Sequence, residues 1–599
     1  MEEEWSYRLD IIDGPTRCGQ LEKGDARVHL PFLLDLSRGE VLHPSPGNAK
    51  VELRFTRNGD GENDLSGKVK QRLDRIDAGG LSPGVGAMEN ELFLEVDGSR
   101  GRIPLISERL SSMLLDDPRE LSRIIMSLRE KAPAHPPIFI PGAGGSPEME
   151  VLLYLGVEVF DTSRALLDAA SGTYYLQNGE LNTRELERIG GPSVLCSCSI
   201  CRTGAEMDPG RLSEHNIGML RRRLSLAYLK LKEGRLREHV MGLLSGHPEW
   251  VSAVRFVEGG TAWDVLPWSR SFRKVGKAAV TYRDDLSNPD FRLFRHRVRT
   301  NFTPLEHRKL LLLLPCSARK PYSLSRTHRT IASGLHRLKS WKSVCQRLVV
   351  TSPLGAVPME LETSYPAAHY DIPVTGDWFH DEVTMTRDIV SAVLSRGDFD
   401  TVVCFHGEGD RFFPEEGESG SMMGSSFINV HIEAERKGAK PLDELRHILE
   451  REMDGKETVS PRDNDILEKL KLIEFSLGIR LENREKLKIK RAPSGDLLLG
   501  NGRKLADLKI GGPVPTLELA NMVWNDGEQG RRVIIEDFIP RGTIFNQGII
   551  SVSGDIVPGD VVLVGTEDAP KAVGRALVPG SLMRTDLRGG AVRVIAHVR

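Results

Sequence analysis

Short apolar runs alternate with amphipathic helical patterns along most of this 599-residue chain. In the first 285 residues, strand-like apolar runs cover 137–141 and 152–160, while helical patterns cover 120–131 and 216–234. This alternation is typical of α/β domains, in which helices pack against a mostly parallel sheet.

The second part of the chain, residues 286–455, contains three continuous apolar runs that predict buried strands. These runs cover 309–314, 347–351 and 401–405, with helical patterns at 381–396 and 441–452. Continuous apolar strands joined by helices predict a parallel sheet that is covered on both faces. Ligands of such sheets bind beyond the carboxyl ends of the strands, and all three runs end in polar sequence.

The remaining residues change in character twice. Residues 456–526 open with a charged helical pattern at 463–477 and continue as short strands, and residues 527–599 are β-rich with frequent glycines. The β-rich part predicts a small barrel. We therefore expect a multidomain α/β protein whose domains cover 1–285, 286–455, 456–526 and 527–599.

Composition excludes several classes of protein. The chain is 39% hydrophobic and 28% charged, which is typical of globular proteins and not of disordered, collagen-like or coiled-coil chains. No apolar run approaches the ~20 residues of a membrane span. Acidic residues follow the first methionine, which argues against a signal peptide, so we expect a cytoplasmic protein without a membrane partner. The net charge of −3 neither requires nor excludes a nucleic-acid partner.

A cluster of three cysteines predicts a metal site. The candidate ligands are Cys196, Cys198, Cys201 and His215. Three thiolates and one imidazole complete a tetrahedral Zn²⁺ shell without leaving an open position, so we expect zinc with a structural role. His239 and His247 also lie downstream and are alternatives to His215 as the fourth ligand.

A second cysteine lies in the stretch PCSARKPYSLSRTH, residues 315–328, directly after a predicted buried strand. Nearby Arg319, Lys320 and His328 would favour the nucleophilic thiolate of Cys316. Tyr322 and Ser325 could orient a substrate or donate protons, so the candidate catalytic residues are Cys316, Lys320, Tyr322, Ser325 and His328. The alternative is a buried structural cysteine followed by a basic loop. The remaining cysteines, Cys18, Cys345 and Cys404, are predicted to lie in the core.

The segment GVEVFDTSRALLDAASGTYY, followed by CSCSIC and SEHN, resembles the archaeal tRNA-guanine transglycosylases over about residues 130–245. The resemblance implies a β/α barrel with a zinc site. It also places Glu158 where the family has its aspartate nucleophile, with Asp161 as the second acid. An added methylene moves a carboxylate by about 1 Å, and such a misplacement can cost ~100-fold in rate. We therefore expect the barrel and zinc to be kept and base exchange to be lost, with an active transglycosylase as a rival.

The central stretch resembles the signature P-C-x-x-x-K-P-Y-x-x-S-x-x-H of the archaeosine synthase family. The matching positions are Pro315, Cys316, Lys320, Pro321, Tyr322, Ser325 and His328. Segments 351–362 and 365–378 and the strand that ends at 406–410 carry further likeness. The resemblance implies action on 7-cyano-7-deazaguanine at position 15 of tRNA. The Cys316 thiolate would add to the nitrile, and an amine would then displace the thioimidate to leave an amidine.

The same resemblance implies roles and partners. His328 or Lys320 would shuttle protons, while Tyr322 and Ser325 would hold the base or the imidate. Lysine is favoured as nitrogen donor, with glutamine or ammonia as alternatives, and a separate radical SAM lyase would complete the product after lysine attachment. Acidic residues that could hold the donor's ammonium are Glu360, Asp371 and Asp377, together with Glu362 and Glu408. Zinc is the one cofactor implied, and we expect a homodimer.

The last ~70 residues resemble a PUA domain, a small RNA-binding barrel. Basic runs at 221–223, 270–277 and 291–299 are further candidate RNA contacts, and the last of these interleaves aromatic and basic residues. A second rival function is a non-catalytic tRNA-binding scaffold that presents its substrate to another enzyme.

Overall fold

The structure is a computed structural model that describes most of the chain. It describes residues 4–42, 49–57, 60–64, 88–96, 99–107, 117–131, 136–145, 148–259, 278–280, 283–372, 378–407, 425–431, 440–481, 486–492, 495–524, 530–583 and 588–598.

The first part of the chain alternates strands and helices. Its strands are β1 Ser6–Asp13, β2 Thr16–Lys23, β3 Ala26–His29, β4 Phe32–Asp35, β5 Glu40–Leu42, β6 Ala49–Arg57, β7 Asp60–Asp64, β8 Met88–Val96, β9 Ser99–Arg102, β10 Ile106–Ser107, β11 Ile138–Phe139, β12 Val159–Asp161, β13 Thr173–Leu176 and β14 Gly179–Asn182. Its helices are α1 Pro118–Lys131, α2 Glu148–Leu155, α3 Ser163–Ala170, α4 Thr183–Arg188, α5 Ser199–Arg202, α6 Pro209–Lys232, α7 Leu236–Leu243 and α8 Pro248–Gly259.

A mixed sheet organises this part. Its order is β10-β11-β12-β4-β5-β6-β8-β9, with β7 beside β6, and β10, β11, β12 and β4 are parallel. Within the described residues the order is open at both ends, so the closed barrel stays a prediction. The predicted strand at 152–160 is partly wrong, because its first residues belong to the buried helix α2. A short helix that is buried on almost every side has no apolar periodicity that distinguishes it from a buried strand.

Strands β1, β2 and β3 lie outside this sheet and belong to a sheet with strands from the carboxyl-terminal part of the chain. Strand β1 pairs parallel with a strand near the carboxyl terminus, with Arg8 opposite Arg588 and Leu9 opposite Gly589. Apolar side chains from both ends of the chain form one core, with Trp5 and Leu9 packed in the same cluster as Val562 and Val592. The amino-terminal strands and the predicted carboxyl-terminal barrel therefore share a sheet, and the predicted domain boundaries stay a prediction.

The second part is a sheet covered by helices. Its strands are β15 Ala278–Ala279, β16 Leu310–Pro315, β17 Cys345–Thr351, β18 Gly355–Pro358, β19 Tyr370–Asp371, β20 Thr401–His406 and β21 Ser426–His431. Its helices are α9 Pro289–Asn301, α10 Arg326–Gly334, α11 Trp341–Val344, α12 His380–Leu394 and α13 Pro441–Glu452.

The main sheet of this part has the order β18-β17-β16-β20-β21. Strands β17, β16, β20 and β21 are parallel, and β18 is antiparallel to β17. All five leucines of β16 are buried, as expected of a central parallel strand that is covered on both faces. The three predicted strands and both predicted helices of this part are confirmed within a few residues.

The rest of the chain forms a small helical and β unit and then a β-rich unit. The former comprises α14 Pro461–Leu477, β22 Leu487–Lys490, β23 Asp496–Gly500, β24 Arg503–Lys509, β25 Gly512–Pro515 and α15 Leu517–Val523. The latter comprises β26 Arg532–Ile535, β27 Thr543–Phe545, β28 Ile549–Ser553, β29 Val561–Gly565, β30 Pro570–Ala576 and β31 Arg588–His597. The helices that the structure describes include none with the length and apolar character needed to cross a membrane.

Buried charges fasten α14 to the parallel sheet. Arg308, which precedes β16, is fully buried and forms ion pairs with Glu360 and Glu468. Arg347 on β17 forms a second ion pair with Glu468. Burial opposes ionisation of Glu468, but the two guanidinium groups outweigh it and hold its pKa at about 2. The contact between the sheet and α14 therefore depends on an ionised carboxylate.

We expect Glu468→Gln to lower the thermal unfolding midpoint at neutral pH, because two buried guanidinium groups lose their counter-charge. The depressed pKa means that the stabilisation is present above about pH 4.5 and is lost as the pH falls towards the pKa of the folded state. The difference in midpoint between wild type and variant should therefore shrink below pH 4.5. Glu450→Gln, at an exposed position of α13, is the control. A pH-independent difference between wild type and Glu468→Gln would contradict the assignment.

Candidate active site

Cys316 lies at the carboxyl edge of the parallel sheet. It follows directly after β16, whose neighbours β17 and β20 are both parallel to it. Pro315 is paired with Val350, so the end of β17 and the end of β16 meet at the same edge. Cys316 is partly buried and packs against the core of this part. Its position is the one at which parallel sheets bind their ligands.

Two hydrogen bonds fix the loop that follows Cys316, one as a helix cap and one to the end of the strand. The side-chain oxygen of Ser325 caps α10 by accepting from the backbone N–H of His328, at 3.1 Å. The Nε2 atom of His328 lies 2.9 Å from the carbonyl oxygen of Pro315. Because a carbonyl can only accept, Nε2 carries the hydrogen and donates it. The serine and histidine of the motif thus fix the shape of the loop around Cys316.

Three buried hydroxyl groups form a chain beside this loop. The Tyr322 and Tyr370 hydroxyls lie 2.7 Å apart, and the Tyr370 hydroxyl lies 2.6 Å from Oγ1 of Thr351. All three residues are fully buried. Sequence reasoning placed Tyr322 in the site but missed Tyr370 and Thr351, although both belong to segments that were recognised as family-like. Thr351 ends β17 and Tyr370 begins β19.

Lys320 contacts the same group of side chains. Its Nζ atom lies 4.0 Å from the centre of the Tyr370 ring, and the residue is buried. An ammonium group over the face of an aromatic ring is attracted by the negative charge of that face. Lys320 and Tyr322, which are two residues apart in the loop, therefore both contact Tyr370.

The two tyrosines remain protonated and act as hydroxyl donors. Burial is the main cause that raises the pKa of both Tyr322 and Tyr370. A charge on Cys316 would raise the pKa of both hydroxyls further, so its sulfur lies within electrostatic range of the tyrosine pair. Cys316, Lys320, Tyr322 and Tyr370 thus share one environment.

His328 is neutral over the physiological range. Burial lowers its pKa to about 4, the hydrogen bond to Pro315 opposes this shift, and the positive charge of Arg347 adds to it. A neutral imidazole with this pKa is a weak base at pH 7. What the structure shows for His328 is a hydrogen bond that holds the loop against the end of β16.

Glu360 does not lie at this site. Its carboxylate is buried at the opposite edge of the sheet, where it pairs with Arg308 and accepts from Nε2 of Gln346 at 3.0 and 3.1 Å. Arg308 precedes β16 and Gln346 is the second residue of β17, so this is the amino edge of the parallel strands. The expectation that Glu360 binds an amino-acid ammonium is therefore wrong, because its charge is already matched by a buried arginine.

The other acidic candidates divide into two groups. Asp371 is exposed and follows Tyr370 on β19, and Glu362 accepts from the backbone N–H of Ser323 in the motif loop at 2.8 Å. Both lie next to elements of the site. Asp377 and Glu408 lie outside the described residues.

A histidine that sequence reasoning did not single out lies at the same edge of the sheet as Cys316. His406 ends β20, and its Nε2 atom lies 3.3 Å from Oδ1 of Asn429.

The predicted metal cluster is assembled in the first part of the chain. One ligand atom from each of Cys196, Cys198, Cys201 and His215 lies within 4.8 Å of all the others. The Nδ1 atom of His215 lies 3.2 Å from the Cys201 sulfur and 3.6 Å from the Cys198 sulfur. Zn–S bonds of about 2.3 Å and Zn–N bonds of about 2.0 Å in a tetrahedron put sulfur and nitrogen about 3.5 Å apart. The donor set and its spacing fit a tetrahedral metal ion.

Surrounding groups hold the histidine in the form that binds metals. Nε2 of His215 lies 2.8 Å from the Tyr175 carbonyl and therefore donates to it, which leaves the lone pair of Nδ1 facing the thiols. The Tyr174 ring stacks on the imidazole at 4.0 Å, and its hydroxyl lies 3.2 Å from the Cys201 sulfur. These contacts favour His215 as the fourth ligand over the alternatives His239 and His247.

Glu158 and Asp161 are buried and fully engaged. The Glu158 carboxylate pairs with Arg129 and accepts from the backbone N–H groups of Arg17 and Ile138, at 2.7 and 2.9 Å. Asp161 accepts from the backbone N–H groups of Gly142 and Ser163, both at 2.7 Å. Burial raises the pKa of both carboxyl groups. Neither is placed to attack a base in the manner of a transglycosylase nucleophile.

Two lesser predictions are also resolved. The interleaved run 291–299 lies within helix α9, where Phe291 and Phe294 are buried in the core, so the aromatic residues do not form a stacking surface. The run 270–277 lies outside the described residues. The predicted core positions of Cys18, Cys345 and Cys404 are confirmed.

Comparisons with known proteins show similarity to proteins that are named for tRNA modification. A family profile described as "Domain of unknown function (DUF5591)" matches residues 291–449, which include the Cys316 loop. The curated archaeosine synthase of Haloferax volcanii is 27% identical over 79% of this chain and 79% of its own length. Archaeosine synthase subunit alpha of Methanosarcina acetivorans is 28% identical over 85% of this chain and 81% of its own length. The resemblance to archaeosine synthases is therefore confirmed.

A shorter similarity links the chain to the second predicted family. The tRNA-guanine(15) transglycosylase of Methanococcus vannielii is 23% identical over 46% of this chain and 40% of its own length. The chain is thus similar to archaeosine synthases over most of its length and to a transglycosylase over less than half of it.

We expect the purified chain to carry one metal ion at the cysteine cluster. Cys198→Ser and Cys201→Ser should each lose the ion, measured by elemental mass spectrometry, because a three-ligand remnant binds metal far more weakly. They should also lower the unfolding midpoint, since a structural ion contributes to folding free energy. Cys316→Ser is the control and should retain the ion. Full metal content in the cluster variants would contradict the assigned ligand set.

The His328 imidazole should remain neutral from pH 8 down to about pH 4. Its ring resonance, identified by its loss in His328→Gln, would be followed by NMR in histidine-labelled protein. The unfolded chain takes up a proton near pH 6.5 while the folded chain does not, so His328 destabilises the fold as the pH falls from about 6.5 to 4. Titration of the folded residue near pH 6.5 would contradict this environment.

Proposed function

We propose that this chain is a tRNA-modifying transferase of the archaeosine synthase type. It would add an amine to the nitrile of 7-cyano-7-deazaguanine at position 15 of tRNA. The observation that carries the proposal is the loop of residues 315–328, which places Cys316 at the carboxyl edge of the sheet beside Lys320 and a buried tyrosine pair. Similarity to archaeosine synthases over about four-fifths of the chain supports it.

The proposed reaction is a pair of additions without any change in oxidation state. The sulfur of Cys316 adds to the nitrile carbon, and its proton passes to the nitrile nitrogen, which gives a thioimidate. The donor amine then adds to the same carbon, the C–S bond breaks, and the thiolate regains a proton from the incoming amine. The product is an amidine, and the sum is one amine added across one C–N triple bond.

The residues around Cys316 suit these steps to different degrees. Lys320 would stabilise the thiolate and the negative charge that develops on the nitrile nitrogen, as a cation in a low-dielectric site does. Thr351 donates to the Ser352 carbonyl, so the hydrogens of Tyr370 and Tyr322 are donated along the chain, and the Tyr322 oxygen would accept a hydrogen bond from the N–H of the imidate. The low pKa of His328 supports a positioning role for this residue, so Lys320 is the favoured proton carrier of the two.

Lysine is the favoured nitrogen donor. Asp371, exposed and adjacent to Tyr370, is the acidic residue best placed to hold an amino-acid ammonium, and it takes the role first expected of Glu360. A separate radical SAM lyase would then release the final product. The relative from Methanosarcina acetivorans is named as subunit alpha, which supports a partner protein. Glutamine or ammonia as donor, and a homodimeric state, remain further parts of the hypothesis.

The remaining parts of the chain would serve binding and stability. The cysteine cluster would hold a structural Zn²⁺ through Cys196, Cys198, Cys201 and His215, because this closed set leaves no position for a substrate. The β-rich unit of residues 530–598 would be the PUA domain and would contact tRNA. Transglycosylase activity is the less favoured function, since the Glu158 carboxylate is buried in an ion pair with Arg129.

The test uses tRNA that carries the cyano base, incubated with the full-length enzyme and either lysine or glutamine. Intact-mass and nucleoside analysis should show a gain of one lysine with wild type. Cys316→Ala should reduce the rate by at least about 1,000-fold, because the covalent route is removed. Cys404→Ala, which alters a buried cysteine of the same sheet, is the matched control and should retain activity.

Three other outcomes would change the conclusion. An amidine formed directly from glutamine would keep the nitrile chemistry and replace the donor. Full activity of Cys316→Ala would exclude the thioimidate. Binding of tRNA without modification by either donor would favour the scaffold, in which this chain presents tRNA to another enzyme.

A further inference from the structure

A groove lined by arginines lies beside the Cys316 loop. It is open to solvent and has a volume of about 310 Å³. The residues that line it are Arg319, Leu324, Arg326, Arg329, Thr330 and Ser333. We call this feature the arginine groove.

The groove is built on one face of helix α10. Arg326, Arg329, Thr330 and Ser333 occupy positions i, i+3, i+4 and i+7, which lie on the same side of a helix. All four are exposed, whereas His328 and Ile331, on the opposite face, are buried. The helix thus holds the Cys316 loop with one face and presents two guanidinium groups and two hydroxyls with the other.

The charge of the groove is uncompensated within the part of the chain that the structure describes. Arg319, Arg326 and Arg329 form no ion pair there, and no carboxylate is among the described lining residues. The nearby carboxylate of Glu362 instead accepts from the backbone N–H of Ser323. Arg329 makes one hydrogen bond, to the Leu324 carbonyl at 2.7 Å, which fixes its guanidinium at the rim. Three exposed cations without counter-ions favour an anionic ligand.

The groove is close to the reacting sulfur. Arg319 is three residues after Cys316, and three residues span at most about 10 Å. A hydrogen bond from Ser317 Oγ to the Arg319 carbonyl, at 3.1 Å, holds the intervening turn. A base that enters the site from RNA has phosphates on both sides of it, so an anion-binding surface at this distance suits its backbone.

We propose that the arginine groove binds the phosphodiester backbone of the RNA segment that presents the target base to Cys316. The inference rests on the proposed function for the identity of the RNA. Guanidinium groups would bind phosphate oxygens, and the Thr330 and Ser333 hydroxyls would donate further hydrogen bonds. Such contacts position the nucleotide without reading its sequence.

The test compares binding of a tRNA transcript to full-length variants at salt concentrations between about 50 and about 200 mM. Arg326→Ala combined with Arg329→Ala, and Arg319→Ala alone, should bind more weakly and with a shallower dependence on salt. Each lost phosphate contact makes the slope of log K against log salt shallower by about 0.7. The factor by which affinity drops between the two salt concentrations therefore becomes two- to threefold smaller for each arginine removed. Replacement of the same arginines by lysine should restore most of the slope.

Arg462→Ala is the matched control, because Arg462 is also an exposed arginine in the first turn of a helix, α14. It should bind with the wild-type slope. The groove variants alter exposed side chains only, and unchanged unfolding midpoints would show that they fold. A wild-type salt slope in the Arg326/Arg329 double variant would overturn the proposal.

Two further readouts separate the possible failures. If inorganic phosphate at constant ionic strength stabilises the wild type but not the double variant, while the RNA slope is unchanged, the groove binds a free phosphate and the proposal is wrong. Cys316→Ala should bind the transcript with wild-type affinity and slope. Loss of RNA binding in groove variants together with full modification by Cys316→Ala would refute the catalytic proposal and support the groove.

Discussion

The burial of strand β16 on both faces is the constraint on which the candidate site depends. Five consecutive leucines can be covered only if strands lie on both sides and helices on both faces, so the strand must occupy the middle of the sheet. The first polar residues after such a strand emerge at the carboxyl edge. The packing of these leucines therefore places Cys316 at that edge, and the hydrogen bond from His328 to Pro315 fixes the loop there.

Buried ion pairs explain why several carboxylates, including two that were candidates for a functional role, are structural. Glu360 neutralises Arg308, Glu158 neutralises Arg129, and Asp560 pairs with Arg297 between helix α9 and the carboxyl-terminal strands. A buried charge without its partner costs several kcal/mol, so a carboxylate in such a pair is committed to the fold. Asp371, by contrast, is exposed and follows Tyr370 on β19.

The parts predicted from sequence are those with a strong local signal. Apolar runs identified β16, β17 and β20, and cysteine spacing identified three of the four residues that cluster in the structure, whereas His215 was one of three candidate histidines. The pairing of β1 with β31 had no local signal, because it joins residues about 580 positions apart in the chain. The role of Glu360 was misjudged for the same reason, since its partner Arg308 is remote in sequence. Tyr370 and Thr351 were missed because a buried hydroxyl has no signature until its neighbours are known.

The arrangement also bears on how one chain came to resemble two families. The segment similar to transglycosylases keeps the cysteine cluster and the strand that ends at Asp161, yet its nucleophile position is filled by Glu158, which holds three neighbouring elements together through Arg129, Arg17 and Ile138. A carboxylate that accepts from two backbone amides and one guanidinium cannot also attack a base. In this chain Glu158 therefore has a structural role, whereas the loop after β16 brings a thiol, a lysine and a tyrosine pair together at the carboxyl edge of the sheet.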